Sequence, residues 1–266
     1  MSMLTRSLSR TAVAALVGLL GCLAAAQAQT LAPGVLKVAL EATYPPFESY
    51  SGDKIVGFDP DLTALLTREM KLKPTLTDTK FVSLVPGLAA GQHDAVVSGL
   101  YITPERLAQA DAIPYASSGA LIMVAKDSKT RPLTEKDLCG LKVGLQAGTS
   151  WVKLLQPLSD DYCKRANKGA ITVMEFPTAP EVSQAVMSRN IDAQLEIAGA
   201  AKMIVEKTKG RVTISSPELV YPQTLGIYVK KGNTALKQSF ESAMAAIRKT
   251  GEYDALIKRY ELTPVK

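Results

Sequence analysis

The chain is poor in the residues from which most metal and redox chemistry is built. Its 266 residues include one histidine (His93), three cysteines and one tryptophan, and aromatic residues make up only 6%. A lone histidine and a few dispersed cysteines do not supply the clustered ligands of a zinc site, so no metal and no other cofactor is expected. There is no P-loop, nucleophile elbow or histidine-based pair, which removes the common machineries for phosphoryl transfer and hydrolysis. Lys+Arg exceed Asp+Glu by 31 to 25, a formal charge of +6. That excess is scattered and forms no basic block, so no nucleic-acid partner is expected.

Long hydrophobic runs are missing as well. The one apolar stretch, residues 11–23, is too short for a good membrane span. It follows Arg6 and Arg10 and precedes Ala24-Ala25-Ala26-Gln27-Ala28, small residues in an A-x-A pattern, so residues 1–28 read as a secretory signal peptide. Cleavage after Ala28 would remove Cys22 and two arginines, leaving a net charge of 31 − 2 − 25 = +4. In the alternative reading, Leu19-Leu20-Gly21-Cys22 is a lipobox and Cys22 a membrane anchor. Loss of Cys22 leaves Cys139 and Cys163 in an oxidising compartment, where a disulfide is the default.

Residues 29–266 alternate between strand and helix periodicities. Residues 35–41 read as a buried strand, and Asp59-Pro60-Asp61 opens a helix on which Leu62, Leu65, Leu66 and Met70 recur at helical spacing. Residues 75–78 are a second strand, and 83–90 a helix that tolerates Pro86 near its start. A strand, turn and helix start at 95–106 complete a βαβαβα series, which implies a mainly parallel sheet covered by helices. Residues 119–125 (GALIMVA) form a continuous apolar strand with no helix directly before it, as expected of a segment crossing between lobes. A second α/β series follows, with a helix at 134–138, a strand at 141–145 and a helix at 149–155. A strand at 171–175, a helix at 181–188 and a strand at 191–195 complete it. Residues 225–229 (LGIYV) read as a second crossing strand. The remainder is helical, with Asn233 capping a run to Arg248 and Gly251 separating it from 253–260. The expected organisation is therefore two α/β lobes: 29–118 with the return segment 225–266, and 119–224.

The stretch 95–106, AVVSGLYITPER, concentrates the binding signals. Ser98-Gly99 lets backbone approach a ligand closely, and Thr103-Pro104 is a cap followed by proline at the first helical position. Backbone N–H groups and the planar Arg106 fork suit a carboxylate or phosphate. Glutamate sits at 105 and not 106, so there is no capping box to engage Arg106. Taken alone, Arg106 reads equally as a solvated helix-surface charge.

This run resembles the signature of the polar amino-acid-binding proteins that serve ABC importers, bacterial solute-binding protein family 3. Residues 40–62, LEATYPPFESYSGDKIVGFDPDL, resemble that family's first block, and Gly148-Thr149-Ser150 its glycine-threonine turn. The resemblance implies a bilobed periplasmic-binding-protein type II fold with an interlobe cleft. Ser98, Gly99 and Arg106 would hold a ligand carboxylate from one lobe, and Gly148, Thr149 and Ser150 from the other. Tyr44 and Phe81 would flank the ligand side chain, with Glu41 at the end of the first strand. The structural alternatives are core aromatics, a loop-capping Glu41 and a simple helix cap at Thr149. The implied partners are one small carboxylate-bearing solute and an inner-membrane ABC permease, for a periplasmic monomer. Cys139 lies in a DLCG start that resembles some members.

Two departures concern one ligand group. Where the family has an aspartate for the ligand ammonium, this chain has Ile197, with Glu196 one place earlier and, by strand alternation, on the opposite face. Tyr101 stands where a small hydroxyl residue is common. An enzyme on the same fold is the alternative function, since cyclohexadienyl dehydratases resemble these proteins and Glu196 or Glu41 could serve as a general acid. A third option is a soluble sensing module that reports to a membrane receptor.

Overall fold

The computed structural model describes residues 29–265; the signal-peptide and lipobox readings of the N-terminus lie outside them. The first strand, β1 (Val35–Leu40), leads into a small hairpin sheet of β2 (Thr43–Tyr44), β3 (Glu48–Ser51) and β4 (Lys54–Val56). Then come α1 (Phe58–Met70), β5 (Lys73–Asp78), α2 (Leu84–Ala89), β6 (Ala95–Val96) and α3 (Pro104–Gln109). β7 (Ala110–Ala125) runs on to β8 (Lys142–Gln146), α4 (Ser150–Pro157), β9 (Thr172–Phe176), α5 (Ala179–Met187) and β10 (Ala193–Ile197). The chain closes with α6 (Ala198–Lys207), β11 (Val212–Ile214), β12 (Val220–Lys230), α7 (Thr234–Lys249) and α8 (Glu252–Arg259).

Parallel pairing builds both ends of the large sheet. β1 lies parallel between β5 and β6, and β8 parallel between β9 and β10. The inner strands β1, β6, β8 and β10 are largely buried, whereas the edge strands β5 (KPTLTD) and β9 (TVMEF) are exposed or half-buried. β7 and β12 join them, paired antiparallel to each other in the order β5-β1-β6-β12-β7-β10-β8-β9, with β11 added to β7. At 16 and 11 residues they are far longer than an ordinary strand of about 5–6 residues. The two α/β lobes and their crossing strands are the bilobed type II architecture.

The crossing strands differ from the sequence expectation. β7 begins at Ala110, directly after α3, and not at 119; β12 begins at Val220 and not at 225. Proline cannot donate to a ladder, so Pro114 and Pro222 each leave a donor missing from the long strands. The structure accommodates Pro114 opposite Gly226, beside a register shift between Leu225 and Gly226. A second shift between Val220 and Gln223 includes Tyr221 at φ 49°, in the left-handed region. These irregularities sit where the paired strands pass between the lobes, and bulges bend a strand locally. Residues 134–138 form a single 3₁₀ turn with a Thr134/Asp137 capping box. The β2–β4 hairpin, α6 and β11 were not anticipated.

The C-terminal helices return to the first lobe, as expected. Asn233 Oδ1 accepts from the Leu236 N–H at 3.2 Å to start α7, and Gly251 at φ 78° turns the chain into α8. α7 and α8 pack on α1, and Phe58 stacks on Tyr115 and meets Tyr260 edge-on, each at 5.5 Å. No helix among the described residues is long and apolar enough to cross a membrane.

Cys139 and Cys163 are joined, with Cα atoms 5.4 Å apart, closing a 24-residue separation in the second lobe. A loop of this size corresponds to about 3 kcal/mol of stabilisation. Denatured, unreduced protein lacking residues 1–28 should therefore show no free thiol, and reduction should lower its unfolding free energy by about 2–4 kcal/mol. Two titratable thiols in exported material would refute the bond.

Candidate functional site

The carboxyl ends of β1, β6, β8 and β10 point at one another across the seam between the lobes. Glu41 follows β1, Ser98-Gly99 follows β6, Gln146 ends β8 and Glu196 sits one residue from the end of β10. Loops at these edges are the ordinary location of a site in an open α/β sheet. They flank a small cleft lined by Tyr44, Phe81, Gly99, Tyr101 and Arg106 from one side and Gln146, Thr149, Ser150 and Trp151 from the other.

Arg106 is the half-buried cation of this cleft. Thr103 caps α3 by accepting from the Arg106 N–H at 3.3 Å, which leaves the guanidinium free to turn inward. It donates to the Tyr101 carbonyl at 2.7 Å and, across the seam, to the Gly148 carbonyl at 3.0 Å. Arg106 is thus engaged locally through Tyr101, which the absence of a capping box had not suggested. Its guanidinium also lies 5.6 Å from the Phe81 ring centre. Among the described residues no carboxylate forms a salt bridge with it. Burial pushes its pKa down, the signature of a charge whose water has been removed without an opposite charge in return.

The Ser98-Gly99 turn is held by hydrogen bonds from both residues to buried carboxyls of the first lobe. The Ser98 hydroxyl donates to Glu48 at 2.7 Å and accepts from the Glu41 N–H at 3.0 Å, while the Gly99 N–H donates to Asp59 at 2.7 Å. Gly99 has φ 55°, a left-handed conformation that favours glycine, and packs against the Tyr44 ring at the cleft wall. Glu48 and Asp59 beneath the turn are fully buried together; burial raises both, Asp59 to about 6. The sequence reading took Asp59 only as a helix opener and passed over Glu48.

Two pairs of side chains latch the lobes on the acidic side. Gln146 Nε2 donates to Glu41 at 2.5 Å, and the Phe81 N–H donates to the other oxygen at 3.4 Å. Glu41 is therefore turned to the opposite lobe, and burial raises its pKa against these hydrogen bonds. The Tyr44 hydroxyl donates to Glu196, which also accepts from Gln194 at 3.2 Å and from the Ile197 N–H at 2.9 Å. Strand alternation sets Glu196 opposite Ile197 unless the strand end is irregular; β10 is regular there, and the face that Glu196 shares with Gln194 is the one that meets Tyr44 at the seam. Burial, outweighing those three donors, pushes Glu196 up to about 7.

The second-lobe turn is also used differently than expected. The Thr149 hydroxyl and N–H both donate to the Gln146 carbonyl, at 2.9 and 3.3 Å, and at Gly148 (φ 80°) it is the carbonyl that faces Arg106. Ser150 lines the cleft with a buried hydroxyl that has no partner. Tyr101 is 4% exposed, its ring 5.8 Å from Trp151 and its hydroxyl likewise unpartnered. Sequence reasoning missed Gln146 and Trp151. Gln146, as the last residue of a strand, carried the same edge signal as Glu41; the position of Trp151 in the first turn of α4 gave no comparable signal.

This geometry, a small cleft at strand ends between two lobes on paired crossing strands, is that of a bilobed binding protein. The model of the bacterial extracellular solute-binding proteins, family 3, matches residues 36–263, and the chain belongs to that family. It is 31% identical over 229 residues to the ABC transporter arginine-binding protein 1 of Escherichia coli K12, covering 83% of this chain and 88% of that one. The L-cystine-binding protein TcyJ of the same strain is 30% identical, with 85% and 82% covered. Among solved structures, an ancestral arginine-binding protein bound to arginine superposes with a TM-score of 0.74 at 30% identity, covering 85% of this chain and 98% of that one. An ancestral amino-acid-binding protein described as a precursor of cyclohexadienyl dehydratase gives 0.70 at 28% identity, with 85% and 95% covered.

Glu196 provides a pH test of this site. Its folded pKa of about 7 lies above the ordinary 4.5, so its contribution to stability is complete below pH 4.5 and is lost as pH rises through about 7. Glu196→Gln keeps an acceptor for Tyr44 without the titration. The variant should therefore gain on wild type between about pH 5 and pH 8, by on the order of 3 kcal/mol in urea unfolding. An unchanged difference across that range would show that Glu196 titrates as an ordinary carboxylate.

Proposed function

We propose that the protein captures a small amino acid or amino-acid derivative between its lobes, by its carboxylate, and hands it to an inner-membrane ABC permease. The observation that carries this reading is Arg106, a partly desolvated guanidinium at the seam whose hydrogen-bond acceptors among the described residues are two main-chain carbonyls. A ligand carboxylate accepts two parallel N–H bonds from such a fork and supplies the missing opposite charge. Tyr44, Phe81 and Trp151 supply aromatic walls, and Glu41 and Glu196 make the far side acidic. That polarity suits a zwitterion whose side chain is cationic or neutral. The relatives named for arginine and cystine and the arginine-bound structure support this class of ligand.

In this reading the lobes divide near residues 119 and 225, and the bulged crossing strands absorb the closing rotation. Closure follows ligand because bonds to both lobes exist only in the closed form. The protein acts as a periplasmic monomer delivered by the signal peptide, with no chemical step. The dehydratase alternative draws on Glu196, a buried acid near neutrality bonded to a tyrosine. Incubation with prephenate or arogenate decides it: recovery of unchanged solute is expected, and an aromatised product would replace the binding-protein reading.

Calorimetric titration tests ligand class and anchor together. Arginine, lysine, histidine and cystine should bind in preference to aspartate and glutamate, because an acidic side chain meets Glu41 as a like charge. Tight glutamate binding that is unchanged in Glu41→Gln would remove Glu41 from the selectivity argument. Arg106→Ala should cost on the order of 3 kcal/mol in affinity with little change in fold stability. Wild-type affinity in that variant would remove Arg106 as the anchor.

A further inference from the structure

Glu48 and Asp59 are both 0% exposed, and no cation forms a salt bridge with either among the described residues. Main-chain bonds bring the two acids together. The Phe58 and Asp59 N–H groups donate to the Pro46 and Phe47 carbonyls, each at 3.0 Å, and so tie the start of α1 to the start of β3. Each acid gives one oxygen to the Ser98-Gly99 turn, Glu48 to the Ser98 hydroxyl and Asp59 to the Gly99 N–H, both at 2.7 Å. The remaining oxygens, Glu48 Oε2 and Asp59 Oδ1, have no other partner, and the two carboxyls lie within hydrogen-bond reach of each other.

The groups around the pair add no positive charge. Glu41 after β1 and Tyr44 on β2 act on Glu48, and Tyr115 on β7 adjoins Asp59. Asp61, the other acid in the first turn of α1, is engaged elsewhere by Arg259 and Tyr260, each at 3.0 Å. Two carboxylates in contact away from water do not both ionise, so the pair keeps a proton that separate acids would lose. Its place follows from the surroundings. Asp59 stands in the first turn of α1, where the helix dipole and the Gly99 N–H both favour an anion. Glu48 has only the Ser98 hydroxyl, and burial together with Asp59 raises it well above the carboxylate range, further than burial raises Asp59.

We propose that Glu48 is a positioning residue that acts as a neutral acid: its Oε2–H donates to Asp59 Oδ1 and locks both carboxyls under the Ser98-Gly99 turn. Loss of that proton at alkaline pH sets two anions against each other beneath the cleft that Gly99 and Arg106 line together, and weakens capture of a carboxylate-bearing solute. The effect on capture rests on the solute-binding reading above; the shared proton does not. A raised folded pKa gives stability that is complete below the ordinary 4.5 and is lost as pH rises through the folded value.

The test begins without ligand, comparing wild type with Glu48→Gln, whose amide keeps a bond to Asp59 but has no proton to lose. Infrared spectra near neutral pH should show a protonated-carboxyl band in wild type that is missing from the variant. In urea unfolding, the wild-type folding constant should fall relative to the variant by about tenfold per pH unit from about pH 5 to pH 7, the slope of one proton. Glu196 titrates in both proteins and cancels. Asp59→Asn lets Glu48 ionise against an amide donor and should also remove the band, so it carries the comparison if Glu48→Gln does not fold. A band that survives in the variants, or a stability difference that ignores pH, would overturn the shared proton. Arginine is the binding probe. Its wild-type affinity relative to Glu48→Gln should drop at least about fivefold from pH 6 to pH 9, the order expected of one like charge brought under the ligand carboxylate. A constant ratio would overturn the effect on capture. If arginine, histidine and cystine all fail to bind wild type at pH 6, the solute-binding reading falls and takes that effect with it, while the infrared and unfolding results still decide the proton.

Discussion

The Arg106 guanidinium bridges the seam with both bonds ending on main-chain carbonyls, one from each lobe. A carbonyl is half a partner for a cation: it offers a lone pair and a dipole but no charge. The rest of the site is arranged around this imbalance. The α3 cap lifts the side chain off its own helix, Phe81 covers one face of it, and the second-lobe turn brings the Gly148 carbonyl within reach only when the lobes are together. A carboxylate between the lobes would exchange weak partners for a strong one, and that gain is available only in the closed arrangement.

The opposite side of the cleft carries the complementary charge under restraint. Glu41 and Glu196 are buried acids, each accepting a side-chain hydrogen bond from the other lobe, through Gln146 and Tyr44 respectively. Burial favours their neutral forms, so the closed seam is easiest to hold when a positive group, or a proton, is near. Beneath the Ser98-Gly99 turn a further buried carboxyl pair, Glu48 and Asp59, fixes the backbone. Their hydrogen bonds to the turn make it an anchored part of the frame.

Much of this was legible in the sequence where the signal was local. The strand end at Glu41 and the strand, turn and helix start of 95–106 singled out Glu41, Gly99 and Arg106 from local pattern, while Tyr44, Phe81, Thr149 and Ser150 came only from the resemblance. The resemblance of AVVSGLYITPER and the first block to a known family added the fold. Reading failed where tertiary structure overrode a local cue. β7 and β12 extend beyond the apolar runs at 119–125 and 225–229 because the two strands pair with each other along most of their length, register shifts included. Glu196 shares the Gln194 face of β10, and only the packing of Tyr44 from the other lobe makes that face part of the seam. Ser98 and Thr149 have hydroxyls that look available in sequence, but each is taken by a group distant or hidden from a local pattern, Glu48 and the Gln146 carbonyl. Gln146 and Trp151 become site residues only through the packing of the second lobe against the first.

The most direct measurement of the central claim is native mass spectrometry of the protein purified without denaturation, beside its Arg106→Ala variant. One small carboxylate-bearing solute should be retained per wild-type chain, and the variant should carry none. The same solute retained by both proteins would contradict the assignment of Arg106 as the carboxylate anchor around which the lobes close.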